Sequence, residues 1–552
     1  MSTHHLDVAA AATAARSAGA GSRVAIVTLG CGRNEVDSDQ LAGLFHRDGA
    51  TVVDEPGDAD VVLVNTCTFI APAKQESIDT VLAACQLKDD GDARAVLVVG
   101  CMAQRYPDEL AEAIPEADAI VGFDGYGRLP AIVEDVLAGR LTERIVGVGA
   151  AHPGSRPTAG AAVTEQVGSS RLSLPVLVAP PSPEPAQATT QDELDRIPPS
   201  GPRFPIRAHD GRPWAYLKIA SGCDRICTFC AIPSFRGRFR SRPLDDILAE
   251  AAWLADNGAR ELVLVSENTT SWGKDLDGGR ALQPTLLREL SQVDGIERLR
   301  LMYLQPAELT HELMEAIATE PKVASYFDLS LQHVSGPVIA RMARSGDHER
   351  FGELIRHLRD LDPDAVFRSN FILGFPGETE EDVVRLEDFL TEHRLDWVGL
   401  FAFSREDGTP SDDLPDQIAT EVAEERVRRV GELQEQLADE AARRFVGRRL
   451  EVTVQERVDE AGTVATLGRS YREAPDTDGD IHLVVADGGA SVGDGPATDP
   501  GSNGRDGRVG SSPADLPVGR TVTATVIEAV GVDLVAEVHP ANAGPSERGP
   551  QP

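Results

Sequence analysis

The run Cys223-Asp224-Arg225-Ile226-Cys227-Thr228-Phe229-Cys230 sets three thiols within eight residues. A C-x3-C-x2-C triplet supplies three thiolates, whereas a 4Fe-4S cluster has four irons. One iron is then left free to chelate a small molecule through an amino and a carboxylate group. That is what reductive cleavage of S-adenosylmethionine (SAM) requires. Structural zinc sites combine a C-x2-C pair with a second Cys or His pair further on. No such pair follows here, which leaves zinc as the lesser reading. Three closely spaced cysteines cannot pair off as disulfides.

A second triplet is spread through the first part of the chain. The apolar runs Val24–Leu29, Val61–Val64 and Ala95–Val99 read as buried parallel strands, and each is followed at once by a cysteine: Cys31, Cys67 and Cys101. Helical stretches over Asp37–Arg47 and Lys74–Leu87 separate them, so 23–150 is expected to be a doubly wound α/β domain. Ligands on such sheets sit beyond the carboxyl ends of the strands. The three cysteines, 36 and 34 residues apart, are therefore expected at one edge, as ligands of a second 4Fe-4S cluster. The alternative is three small buried side chains. Cys85, inside a helical run, reads as one of those.

From 204 to 445 a different repeat takes over. Six strand signals (Ala215–Ala220, Glu261–Ser266, Leu299–Leu304, Tyr326–Leu331, Phe367–Leu373 and Trp397–Phe403) alternate with amphipathic helices such as Asp246–Asn257 and Glu380–Glu392. Six βα units suit a partial, laterally open (βα)6 barrel, whose chemistry belongs at the carboxyl ends of its strands. Cys223 follows the first of these strands, so its triplet caps the barrel mouth. A charged helix over Ala419–Arg444 leads into 446–540, where short β-runs predict a small β-barrel interrupted by a Gly-rich insertion over 488–515. Residues 1–22 and 541–552 read as disordered tails, and 151–203 as a Pro-rich linker.

The totals bound the partners. The chain has 552 residues, seven cysteines and a formal charge of −36. No run reaches the roughly 20 apolar residues of a membrane helix, and the Ala-rich start lacks a signal sequence's apolar core. A soluble protein in a reducing, cytoplasmic setting is expected. A grip on RNA phosphates calls for a basic footprint. The only local candidate is Arg203–Arg242, with nine Lys and Arg against two Asp. Those arginines could equally serve an anionic cluster, SAM and domain contacts. From Gly447 onward there are nine Arg and no Lys against 17 Asp and Glu, a balance of −8.

The order of a three-cysteine α/β domain, a C-x3-C-x2-C barrel and a small β-barrel resembles the radical-SAM methylthiotransferases over nearly the whole chain. Ser221-Gly-Cys223 through Cys230-Ala-Ile-Pro233 is similar to their cluster motif, and the closing module looks like a TRAM domain. Within that family, Val265–Gly273, Leu329–Ser335 and Gly468–Gly479 resemble the branch that methylthiolates the β-carbon of an aspartate in ribosomal protein S-twelve. The resemblance implies that Cys223, Cys227 and Cys230 are the catalytic cluster ligands. It further implies that Cys31, Cys67 and Cys101 bind the cluster holding the sulfur, and that a second SAM gives the methyl group. It points to Asn268, Gln332, Gly374 and Gly377 as SAM-binding candidates. For Asn268 a strand-end cap is the alternative, and for the two glycines a turn. Glu267-Asn268 departs from the Gln-Asp or Gln-Asn pair expected there. A reductant such as flavodoxin or ferredoxin and a sulfur donor are further implied partners. The acidic module suits a basic protein substrate, with Asp476, Asp478 and Asp480 as docking acids. The alternative substrate is a tRNA adenosine. A non-enzymatic electron carrier would ligate every iron and need no barrel.

Two separate triplets predict two clusters. Anaerobically reconstituted protein should hold about eight iron atoms per chain. Changing Cys31, Cys67 and Cys101 together to Ala should halve the iron while leaving SAM cleavage intact. Iron analysis and 5′-deoxyadenosine assay check this, and unchanged iron would remove the second cluster.

Overall fold

The computed structural model describes residues 21–148, 207–276, 283–460, 463–485 and 516–538. The expected linker, the Gly-rich insertion, the C-terminal tail and nearly all of the N-terminal tail lie outside these residues.

The runs Val61–Thr66 and Ala95–Val99 are buried at every position, as strands covered on both faces must be. They form the middle of a six-stranded parallel sheet made of β1 (Arg23–Thr28), β2 (Thr51–Val53), β3 (Val61–Thr66), β4 (Ala95–Val99), β5 (Ala119–Val121) and β6 (Ile145–Val146). Its order is β2-β1-β3-β4-β5-β6. The cysteine-bearing strands β1, β3 and β4 are thus immediate neighbours. Helices α1 (Gly32–Arg47), α2 (Ala71–Asp90) and α3 (Gly100–Arg105) leave their carboxyl ends. Cys85 lies buried in α2 within a core shared with Val62, Val64 and Val96. β2, β5 and β6 had no sequence signal, being strands of only two or three residues, with β2 and β6 at the edges.

The barrel has the six expected strands, in two three-stranded sheets. One joins β7 (Trp214–Lys218) to β10 (Glu261–Val265) and β11 (Arg298–Leu301). The other joins β12 (Tyr326–Gln332), β13 (Val366–Leu373) and β14 (Trp397–Ala402), and the bridge Leu304↔Leu329 links the two. A hairpin of β8 (Ala220–Ser221) and β9 (Arg240–Ser241) brackets the barrel triplet. Leu262 and Leu264 face the outer helices, while Val263 and Val265 face inward.

Those inward residues do not pack on each other alone. Trp214, Tyr216, Val263, Tyr326, Val366 and Trp397 share one core with Leu450, Val452, Ile481 and Val522 of the C-terminal module. That module is a closed barrel of β15 (Arg449–Glu460), β16 (Thr463–Arg469), β17 (Ile481–Val485), β18 (Thr521–Val530) and β19 (Asp533–Val538), in the order β15-β16-β17-β19-β18. Its Ser470–Asp478 segment plugs the amino end of the large barrel. Arg300 donates to the carbonyls of Tyr471 (2.8 Å) and Ser470 (3.1 Å), and the Trp397 indole donates to the Arg472 carbonyl (3.0 Å).

This corrects the expectation that Asp478 faces a substrate, while Asp476 stays exposed. Asp478 is buried, accepts from the Tyr326 hydroxyl at 2.7 Å and pairs with Arg368 at 2.9 Å. Asp476 accepts from the Tyr216 hydroxyl at 3.2 Å. The barrel floor carries arginines that need counter-charges, and Asp478 supplies one to Arg368.

Glu261 is the clearest case. It is buried at the start of β10, with Arg300 at 2.8 Å, Arg469 of the module at 3.3 Å and Arg298 at 3.5 Å. Burial opposes its ionisation, but the three guanidiniums outweigh burial and bring the carboxyl from 4.5 down to about 2. A depressed carboxyl contributes stability fully above its unfolded value and loses it as pH falls towards the folded one. Wild-type stability should therefore fall between pH 4.5 and 2 by on the order of 3 kcal/mol from this group. Glu261→Gln should be less stable at pH 7 and lack that portion of the acid limb, as urea titrations at several pH values would measure.

Candidate functional site: two cysteine triplets around one cavity

Cys31 immediately precedes α1, Cys67 follows β3, and Cys101 is the second residue of α3. The loops close on one another because glycine precedes two of the cysteines. A side chain at Gly30 (φ +97°) would begin 2.9 Å from Cys67 Sγ, and one at Gly100 (φ +92°) 2.4 Å from Asn65 Oδ1. Asn34 ties the loops further, its amide donating to the carbonyls of Leu29 (2.8 Å) and Thr66 (3.1 Å). Ser77 receives the Cys67 N–H and donates to the Cys67 carbonyl.

The barrel triplet follows β8. Cys223 N–H donates to the Gly237 carbonyl, Cys230 N–H to the Cys227 carbonyl, and Thr228 N–H to the Met342 carbonyl, all at 3.1 Å. Arg344 Nη1 is 3.5 Å from Cys227 Sγ, and the Arg225 backbone N–H is 3.4 Å from Cys223 Sγ.

All seven cysteines are free thiols. Burial pushes Cys223 and Cys230 up to about 12. Burial, reinforced by Cys101 and Cys31, does the same to Cys67. Cys31 goes the other way: burial opposes its ionisation, but Arg33 and Arg236 outweigh it. A metal centre would supply Cys67, Cys223 and Cys230 with a cation that favours the thiolate against burial. Among the described residues no three His, Cys, Asp or Glu side chains are gathered closely enough for one metal ion. A mononuclear zinc needs all its donors within about 2.3 Å of one point. A 4Fe-4S cluster instead spreads its thiolates over separate irons. Three thiols with N–H donors at their sulfurs fit the cluster at both places.

A cavity of about 710 Å³, counted out into the solvent at its mouth, is lined by Cys230 of the barrel triplet and by the residues that follow Cys67. Thr68 and Phe69 after Cys67 form one wall, and Phe229 and Cys230 form another. Gln332, Asn370, Ile372 and Phe403, at the carboxyl ends of β12, β13 and β14, form the third. Gln332 lines it in a left-handed backbone conformation (φ +70°) where the β12–β13 register slips, a costly arrangement for a non-glycine residue.

The other candidates do not line this cavity. Asn268 has both ends of its amide engaged: it donates to Ser271 (2.8 Å) and Glu308 (3.0 Å) and accepts from Thr270 (2.6 Å). Gly374 (φ +77°) has its N–H on the Glu378 carboxylate, and a side chain there would strike Ala423. Gly377 (φ +81°) abuts the Arg341 guanidinium.

Sequence reasoning missed Arg33, Asn370 and Glu406, and met Glu267 only as a departure from the pair expected beside Asn268. Asn370 Oδ1 is buried without a hydrogen-bond partner among the described residues, and Gly399 on the adjacent strand leaves room for it. Only its alternate position on β13, facing inward, could have signalled this. Of the basic stretch over 203–242, four described cations are occupied internally: Arg207 pairs with Asp39 and Glu250, Lys218 with Asp37, Arg225 with Glu308, and Arg242 with Glu250.

The N-terminal domain spans the lateral opening of the barrel. α1 lies on β7, where Gly32 meets the Tyr216 ring and Asp37 meets Lys218. On the far side, Glu406, in the loop after β14, takes Lys74 at 2.9 Å and Arg105 at 2.8 Å. Glu406→Ala would leave two largely buried cations without their carboxylate, a loss of about 3–5 kcal/mol for a buried pair. Equilibrium denaturation should show it, with faster hydrogen exchange over 68–74 and 404–409 than elsewhere.

Two family models match the chain: "Uncharacterized protein family UPF0004" over residues 23–122 and "Radical SAM superfamily" over residues 217–390. Curated relatives match nearly end to end. The chain is 46% identical to "Ribosomal protein uS12 methylthiotransferase RimO" of Kineococcus radiotolerans, covering 94% of this chain and 98% of that protein. It is 44% identical to the protein of that name from Streptomyces avermitilis, covering 94% and 97%. With that of Saccharopolyspora erythraea it shares 48%, covering 86% and 91%.

Proposed function

The chain belongs to the RimO family of ribosomal protein uS12 methylthiotransferases, and from that premise we propose how its own residues divide the reaction. It is a radical-SAM transferase that uses SAM and 4Fe-4S clusters. In our reading Cys223, Cys227 and Cys230 hold the cluster that binds SAM, and Cys31, Cys67 and Cys101 hold the other. When bound, these groups supply the primary carbon radical that removes a hydrogen atom and the sulfur that replaces it.

The observation that carries this assignment is a cavity lined both by Cys230 and by Thr68 and Phe69, which follow Cys67. A carbon radical must be kept from water and from alternative hydrogen donors. Phe69, Phe229, Ile372 and Phe403 provide an apolar lining, while Gln332 and Asn370 give it two amides. We assign Gln332 to contact SAM. Asn268, Gly374 and Gly377 would act from outside the cavity, shaping the strand ends that carry it. The substrate group is the β-carbon of a uS12 aspartate entering from the mouth. Among the described residues no helix is long and apolar enough to cross a membrane. A ribosomal substrate would put the enzyme in the cytoplasm, with a flavodoxin- or ferredoxin-like reductant and a sulfur donor as partners.

The test is a gain of about 46 Da, a methylthio group in place of hydrogen, on the aspartate-bearing peptide of uS12. Cys227→Ala should abolish both 5′-deoxyadenosine and this product. Cys67→Ala should keep SAM cleavage and lose the product. If both variants fail at the same step, the division between triplets is wrong. If the mass appears on a tRNA adenosine instead, the substrate is wrong.

A further inference from the structure

Arg236 closes helix α4 (Ile232–Arg236), six residues after Cys230, yet its guanidinium reaches the N-terminal triplet. Its Nη2 is 3.0 Å from Cys101 Sγ, 2.7 Å from Asn34 Oδ1 and 3.7 Å from Asp37. Its Nη1 is 3.3 Å from Glu267 Oε1, just beyond β10, and the Phe123 ring lies 5.2 Å away. The residue is 1% exposed. Arg33 mirrors it from the other domain, with Nε 3.2 Å from Cys31 Sγ and Nη1 3.7 Å from the same Glu267 oxygen. Two sulfurs of one triplet thus each receive a guanidinium N–H, and one barrel carboxylate faces both guanidiniums.

Domain docking alone would be served by Asp37 and Asn34 and does not explain a guanidinium placed on a sulfur. N–H donors and positive charge at the sulfurs favour the reduced, more negative state of an iron–sulfur cluster, and a nearby carboxylate opposes it. In this low-dielectric setting both effects are strengthened.

We propose that Arg236 and Glu267 form an opposed pair that sets the reduction potential of the N-terminal cluster, Arg236 raising it and Glu267 lowering it. Both belong to the barrel domain, so the potential is set only when the two domains are docked. The proposal rests on the reading that Cys31, Cys67 and Cys101 ligate a cluster.

The experiment is a redox titration followed by electron paramagnetic resonance on reconstituted full-length protein, with dithionite supplying one electron per cluster. The N-terminal wave is the one missing from the variant with Cys31, Cys67 and Cys101 changed to Ala. Arg236→Met should move its midpoint to more negative values, and Glu267→Gln to more positive ones. Arg236→Lys, which keeps the charge, should restore most of the potential. Where Arg236→Met does not take up the cluster, Glu267→Gln and Arg236→Lys decide. Unchanged midpoints, or shifts of the same sign in Arg236→Met and Glu267→Gln, overturn the proposal. A wild-type protein with about four irons and one wave overturns the cluster assignment as well.

Discussion

Between the N-terminal sheet and the barrel, Arg33, Asp37, Lys218, Arg236 and Glu267 lie together almost entirely out of water. Each buried ion costs several kcal/mol unless it is matched, and removing one partner exposes that cost. Three cations face two carboxylates here, so the seam carries one surplus positive charge. The sulfurs of Cys31 and Cys101 stand where that surplus is directed. One anionic sulfur balances that surplus, and Cys31 is the thiol that Arg33 and Arg236 favour as a thiolate against burial.

The rest of the architecture follows from holding that seam closed. The sheet must bring β1, β3 and β4 side by side for the cysteine loops to meet. The barrel must stay open on one side for α1 to reach β7 and for α2 and α3 to reach the loop after β14. The cavity lined by Cys230 and by the residues after Cys67 is what remains in the middle.

Much of this was legible in the residues, for reasons that can be named. Apolar runs such as Val61–Val64 and Ala95–Val99 have no other use than a strand covered on both sides, and six such units fix the barrel. The cysteine spacing carries its own chemistry, whatever the fold. Charge was legible only as a sum. The −8 of the C-terminal part suggested a docking surface, yet Asp478 is turned onto Tyr326 and Arg368. A count does not say which acids are used internally. The same blindness hid the roles of Glu267 and Glu406, whose partners lie far away in sequence. Short edge strands such as Ile145–Val146 escaped because two residues make no pattern.

The module wedged into the floor of the large barrel has one more consequence. With Ser470–Asp478 filling that end, the described residues close the large barrel at its amino side. A substrate seated at the cavity mouth, at the opposite ends of the strands, would be backed by the module and would itself limit what else diffuses in.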